Sequence, residues 1–140
     1  MYSHQHFMKE ALKQAKLAYA KNEVPVGCVV VHNNSIIAKG YNRPISNCDP
    51  TAHAEIIALR KAAKKLNNYR LLNTTLYVTL EPCMMCLGAL IHGRVTSIIF
   101  GADDPKCGAV RQFAHRLHYI SGVLAEESAN LLKTFFEMRR

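Results

Sequence analysis

Four residues of this sequence have types and spacings that could do chemistry together: His53 and Glu55 in His53-Ala54-Glu55, and Cys83 and Cys86 in Pro82-Cys83-Met84-Met85-Cys86. One imidazole and two thiolates are three ligands for a zinc ion. A fourth tetrahedral position is then left for water, which distinguishes a catalytic site from a closed structural one. Zinc brings the pKa of a bound water toward neutrality, and a carboxylate beside it can take that proton and deliver it to a leaving group. Glu55 follows His53 too closely to be an obvious fourth ligand, and it is the natural proton carrier. A lone histidine is more often a satisfied polar residue, and a lone glutamate a surface charge. A redox Cys-x-x-Cys would account for the cysteines and leave His53 and Glu55 without a use.

The elements around these residues must bring the two halves of the pattern together. Thr51 and Ala52 precede His53, and the apolar spacing of Ile56, Leu59, Ala63 and Leu66 predicts a helix to about Lys65. A strand is expected over Leu76 to Leu80, followed by a helix from Cys83 to about Ile91, with Pro82 suited to its start. Cysteines three apart project from one helix face, and the positive end of the helix dipole favours the thiolate. Both halves of the pattern therefore open helices.

Ser3 is suited to cap a first helix to about Lys21, where Phe7, Ala11, Leu12, Ala15, Ala18 and Tyr19 recur at helical spacing. Val26 to Val31 reads as a buried strand, with His32-Asn33-Asn34-Ser35 as a turn into a returning strand, Ile36 to Gly40. Tyr41 to Pro50 reads as a loop. Val95 to Phe100 is a further strand, Gly101 to Arg116 a basic loop, Leu117 to Val123 a last short strand, and Glu126 to Arg140 a closing helix, acidic at its start and basic at its end. The alternation predicts one α/β domain over residues 1–140, with helices on both faces of a single sheet.

The chain has 140 residues, 49% of them apolar and 20% charged, within the range of ordinary globular proteins. No stretch approaches eighteen apolar residues and Met1 to Phe7 lacks the pattern of a secretion signal, so no membrane is expected as a partner and the cytoplasm is the expected location. Five cysteines, an odd number, suit a reducing compartment and argue against a disulfide framework. Cys28 reads as core, whereas Cys48 and Cys107 fall in loops. His4, His6, His32, His92, His115 and His118 lack comparable context and read as surface or structural. A formal charge of +8 suits a polyanionic partner, with a merely basic surface as the simpler alternative.

The two-part pattern is the signature of zinc deaminases, and the sequence resembles the cytidine and deoxycytidylate deaminase superfamily, most closely its bacterial tRNA-specific adenosine deaminases. The likeness extends through Glu23-Val24-Pro25-Val26-Gly27, Gly40-Tyr41-Asn42-Arg43-Pro44, Asp49 to Glu55, Tyr77 to Cys83 and the ending Phe135 to Arg140. The resemblance implies a three-layer α/β/α cytidine-deaminase-like fold on a central mixed five-stranded sheet. It also implies one Zn2+ per subunit, a homodimer, and hydrolysis of the wobble adenosine in a tRNA anticodon loop, usually of an arginine tRNA, to inosine. It assigns Asn42 to hydrogen bonding with the purine, Val26 to the pocket wall, the Ala54 N–H to holding the base, and Asp104 and Lys106 to the flanking ribose and phosphates. Alone, these residues read as a turn former, a core valine, helix backbone and loop charges.

Arg139, Arg140 and the Lys61, Lys64, Lys65 face are candidate phosphate contacts, although a solvated helix face also explains the lysines. One departure stands out: between Gly108 and His115 the chain is several residues shorter than the family pattern, with Val110-Arg111-Gln112 where a small Gly-Ser element is usual. That change falls on the loop flanking the substrate entrance. Two rival functions remain. A deaminase of free guanine, cytosine or a nucleotide would share the metal site without needing a basic footprint. A non-catalytic RNA-binding protein with structural zinc would not need Glu55.

Overall fold

The computed structural model describes residues 1–113 and 117–139. Helix α1, His4–Ala20, starts at Ser3, whose hydroxyl accepts the His6 N–H, and buries Phe7, Met8, Ala11, Leu12, Ala15 and Ala18. Strands β1, Gly27–His32, and β2, Ser35–Tyr41, form the expected hairpin. Its turn is made by Asn33 and Asn34, both at positive φ (51° and 61°), a conformation asparagine tolerates and a two-residue hairpin requires. The segment read as loop after β2 contains a four-residue helix α2, Pro44–Asn47. Helix α3, Ala54–Leu66, and strand β3, Thr74–Leu80, follow. Then come α4, Met84–His92, β4, Ser97–Ala102, the short α5, Val110–Phe113, β5, His118–Ile120, and α6, Ala125–Glu137.

The five strands make one mixed sheet in the order β2-β1-β3-β4-β5. β1 runs antiparallel to β2 and β3, whereas β3, β4 and β5 are parallel. Side-chain alternation along the strands divides the core in two. Val29, Val31, Tyr77 and Ile99 pack with Phe7, Met8 and Ala11 of α1. Cys28, Val30, Leu76, Val78, Ile98 and Phe100 pack with Ala54, Ala58 and Ala62 of α3 and with Leu87 and Leu90 of α4. This is the three-layer α/β/α arrangement on a mixed five-stranded sheet that the family resemblance implies, and the alternation of helices and strands predicts its two helical faces.

Three expectations need correction. Residues 44–47 and 110–113 are short helices and not plain loop: Pro44 at a first helical position starts a turn instead of breaking one, and the Val110 N–H at the start of α5 is taken up by Glu81. β4 begins at Ser97, later than Val95. α6 ends at Glu137 with no basic residue in its last turn, so Arg139 follows the helix and does not close it. Arg140 and His115 lie outside the described residues, as does the end of the shortened Gly108–His115 segment.

Helix α3 sits close to the sheet because β2 presents Gly40 to it. A Cβ at that position would lie 2.5 Å from the Ala54 carbonyl oxygen and 2.9 Å from the Ala58 nitrogen. Glycine is therefore required there by the approach of two backbones, and the helix start that carries His53 and Glu55 is set by that approach.

Candidate active site

His53 and Cys83 occupy the same structural position on different helices. Each is an N-cap with extended backbone, φ −72° and ψ 156° for His53, φ −75° and ψ 175° for Cys83, and neither caps its helix with its side chain. Both side chains are thus free to turn outward, and they meet. His53 Nδ1 lies 3.6 Å from Cys83 Sγ and 3.5 Å from Cys86 Sγ, and the three ligand atoms fall within 4.8 Å of one another. A tetrahedral zinc with its usual bond lengths separates a nitrogen and a sulfur ligand by about 3.5–3.6 Å. The donor set and its spacing therefore fit that ion.

The protonation preferences suit the same purpose. Hydrogen bonds from Cys86 and His53 bring the Cys83 thiol down to about 3, making it a thiolate. Cys86 is pushed up by its bond to Cys83 and by burial, and the contact with Cys83 raises His53. A bound cation would favour two thiolates.

Glu55, the second residue of α3, is 4% exposed. Burial raises its pKa to about 7, against the opposing pull of its own N–H, the His53 charge and a hydrogen bond to Cys86. A carboxyl group poised near neutrality can both accept and give a proton at working pH. Beside His53, Glu55 and Cys83 opens a cleft of about 260 Å³, lined also by Val24, Val26, Asn42, Pro44, Leu80, Glu81, Asp104 and Cys107.

The cleft gathers most of the residues singled out in the sequence. Val26 is on its wall, and Asn42 Oδ1 accepts the Ala54 N–H at 2.9 Å. That N–H, expected to hold a base directly, is thus engaged by Asn42, which leaves the Asn42 Nδ2 donor for the cleft. Asp104 lines the cleft, but its Oδ1 accepts the N–H groups of Lys106 and Cys107, so it shapes its own loop. Lys106 lines a neighbouring pocket with Leu132 and Phe136.

Lys64 and Lys65 stand in the last turn of α3, at the opposite end of the helix from His53, where they complement its dipole. Arg139 folds back, donating to Asn22 Oδ1 at 2.6 Å with its guanidinium over the Phe135 ring at 3.6 Å. Cys28 is core as expected, and its thiol donates to the Ala54 carbonyl at 3.2 Å. Cys48 and Cys107 are exposed. His4 pairs with the Tyr77 hydroxyl, 2.7 Å away.

Two carboxylates not singled out in the sequence hold the rims of the cleft. Glu23 accepts the Ile45 N–H and both the N–H and hydroxyl of Ser46, fixing α2. Glu81 accepts the N–H groups of Asp104 and Val110, fixing the loop after β4. Their sequence signal is that each falls in a segment shared with the family, Glu23 two residues before Pro25 and Glu81 directly before Pro82, which does not say what either will bond.

Comparison with known proteins agrees with this geometry. A family model described as MafB19-like deaminase matches residues 2–140. The tRNA-specific adenosine deaminase of Haemophilus influenzae is 52% identical over 143 residues, spanning 95% of this chain and 83% of that protein. A solved structure of a tRNA:A34 deaminase, studied for A-to-I editing at the wobble position of transfer RNA, superposes with a TM-score of 0.87. It is 40% identical and covers 91% of this chain and 99% of its own. The guanine deaminase of Bacillus subtilis is also similar, with TM-score 0.71 and 41% identity over 73% of this chain and 66% of that one.

Proposed function

The chain belongs to the MafB19-like deaminase family, and on that premise we propose that it is a tRNA-specific adenosine deaminase, which hydrolyses the wobble adenosine of a tRNA anticodon to inosine and ammonia. The observation that carries this reading is the buried Glu55 facing the same cleft as His53 and Cys83, which with Cys86 behind them hold three ligand atoms at zinc spacing. We propose His53, Cys83 and Cys86 as the ligands of one Zn2+ per subunit. Zinc there would supply Lewis acidity, making a water acidic near neutral pH.

The chain's own groups do the rest. Glu55 accepts a proton from the attacking water and delivers it to the purine ring; it then takes the remaining proton of the new C6 hydroxyl and passes it to the amine, which leaves as ammonia as the C6–N bond breaks. Asn42 Nδ2 donates to the base, while its Oδ1 stays on the Ala54 N–H. Val26 and Val24 close the cleft against the purine face. An adenine within a stacked loop cannot reach this cleft, so the base must be splayed out of the anticodon. Asp104 and Lys106 then face the flanking nucleotides, and Arg139 with the basic surface neutralises phosphates.

The substrate is proposed to be an arginine tRNA, acted on in the cytoplasm where tRNA is found, by a homodimer of one-domain subunits. Exposed Met84 and Met85, beside the ligands on α4, offer apolar surface for the dimer contact. Among the described residues no helix is long and apolar enough to cross a membrane.

The likeness to a guanine deaminase favours a second reading, deamination of a free base. Turnover measured against salt separates the two. An enzyme that grips RNA phosphates loses kcat/KM steeply between 50 and 200 mM salt, on the order of tenfold or more, whereas one acting on a neutral base does not. Efficient turnover of free guanine, with no preference for an anticodon stem-loop, would replace the RNA reading.

A further inference from the structure

The loop 104–110 forms one wall of the cleft through Asp104 and Cys107, and its attachment to the rest of the molecule is unusually concentrated. Apart from the turn of α5 that continues it, the hydrogen bonds described for this loop run either within it or to residues 81–83. Glu81 Oε1 accepts the Asp104 N–H at 3.0 Å, and Oε2 accepts the Val110 N–H at 3.1 Å. Pro82 O accepts the Ala109 N–H at 3.0 Å, and Cys83 bridges Gly108. Gly108 lies so close that a Cβ there would collide with the Glu81 carboxyl carbon and Oε1.

Glu81 is 6% exposed, and both of its oxygens are engaged by backbone donors at the two ends of the loop. Charge-assisted bonds of this kind are about twice as strong as neutral ones. A carboxylate used in this way is poorly placed to carry protons, and Glu55 already does so. We propose that Glu81 is a positioning residue: it clamps loop 104–110 as the second wall of the cleft and thereby sets affinity for the RNA around the target base, without acting in the chemical step. This rests on the RNA deaminase reading above.

Glu81 fixes the first residue of the loop and the start of α5 directly. Glu81→Gln keeps one acceptor and turns an amide NH2 against the other backbone N–H, so one anchor is lost. Gly108→Ala leaves the carboxylate intact and crowds both it and the Asp104 carbonyl oxygen, which would lie 2.6 Å from the added Cβ. Each variant, zinc-loaded, is assayed for KM and kcat on an anticodon stem-loop, and the Asp104 and Val110 amides are followed by hydrogen exchange.

Both variants should raise KM about tenfold, the loss of one charge-assisted hydrogen bond, with kcat within about threefold and zinc content unchanged. Exchange should accelerate at Asp104 and Val110 and stay unchanged in α3. A fall in kcat with KM unchanged, or unaltered kinetics and exchange in both variants, overturns the proposal. If Glu81→Gln does not fold, Gly108→Ala decides alone. Failure of the wild-type protein to process the stem-loop would instead overturn the RNA reading, while the exchange result would still report on the clamp.

Discussion

The Ala54 N–H donates to Asn42 Oδ1 at 2.9 Å, joining the first residue of α3 to the loop that leaves β2. Ala54 is held from its other side as well, since its carbonyl accepts the Cys28 thiol at 3.2 Å. The carboxamide of Asn42 is therefore oriented before any substrate arrives, with its acceptor occupied and its donor left for the cleft.

This orientation predicts how Asn42 variants differ. Asn42→Asp keeps the acceptor for Ala54 and loses the donor, so kcat/KM should fall by about 10–100-fold while the Ala54 amide stays protected from exchange. Asn42→Ala should lose the activity and the amide protection together. An active Asn42→Asp protein would show that the donor has no part in binding the base.

Removing the Glu55 carboxyl should abolish turnover while sparing binding. We expect Glu55→Ala to retain one zinc and the affinity for an anticodon stem-loop, and to lose at least about 100–10,000-fold in kcat. Metal analysis and RNA titration beside the rate measurement separate this from misfolding. Retained turnover would remove Glu55 from its role.

The cluster of His53, Cys83 and Cys86 should depend on backbone contacts that lie outside it. A Cβ at Gly40 would stand 2.5 Å from the Ala54 carbonyl oxygen, so Gly40→Ala must displace the start of α3. The expected cost is about 1–3 kcal/mol of stability, read from denaturant unfolding, together with faster zinc loss to a chelator. Unchanged stability and zinc retention would show that α3 tolerates displacement at this contact.

Much of this site is legible in the sequence because its two halves obey local rules. His53 and Cys83 stand at helix starts, where apolar periodicity begins, and Cys86 follows at helical spacing. The apolar run Cys28 to Val31 marks β1 as a strand buried on both sides, but only the structure shows that Cys28 and Val30 face α3 and Val29 and Val31 face α1. The bonds that hold the cleft open are not local. Glu23 reaches Ile45 and Ser46 across 22 and 23 residues, and Glu81 reaches Val110 across 29. No periodicity encodes such pairs. The short helix α2 is concealed for a different reason: Pro44 and the left-handed Cys48 read as loop punctuation, yet here they open and close a helical turn.

Glu23 should make stability sensitive to acid. Burial acts to raise its pKa, but the bonds from Ser46 and Ile45 and the nearby Arg43 outweigh burial and hold it below the usual carboxylate value. A group whose pKa is lowered by folding contributes stability above its unfolded value, near about 4.3, and that contribution is lost as pH falls through the folded pKa. The Tm gap between wild type and Glu23→Gln should therefore be constant from pH 7 to about 5 and close below about 4. A gap that persists unchanged to pH 3 would contradict the assignment.

The central claim is tested most directly by incubating the zinc-loaded protein with an arginine tRNA anticodon stem-loop and mapping the modified nucleoside by mass spectrometry. We predict inosine at the wobble position, its formation abolished by chelation and restored by zinc. Adenosine left intact at that position, with one zinc bound per chain, would contradict the account.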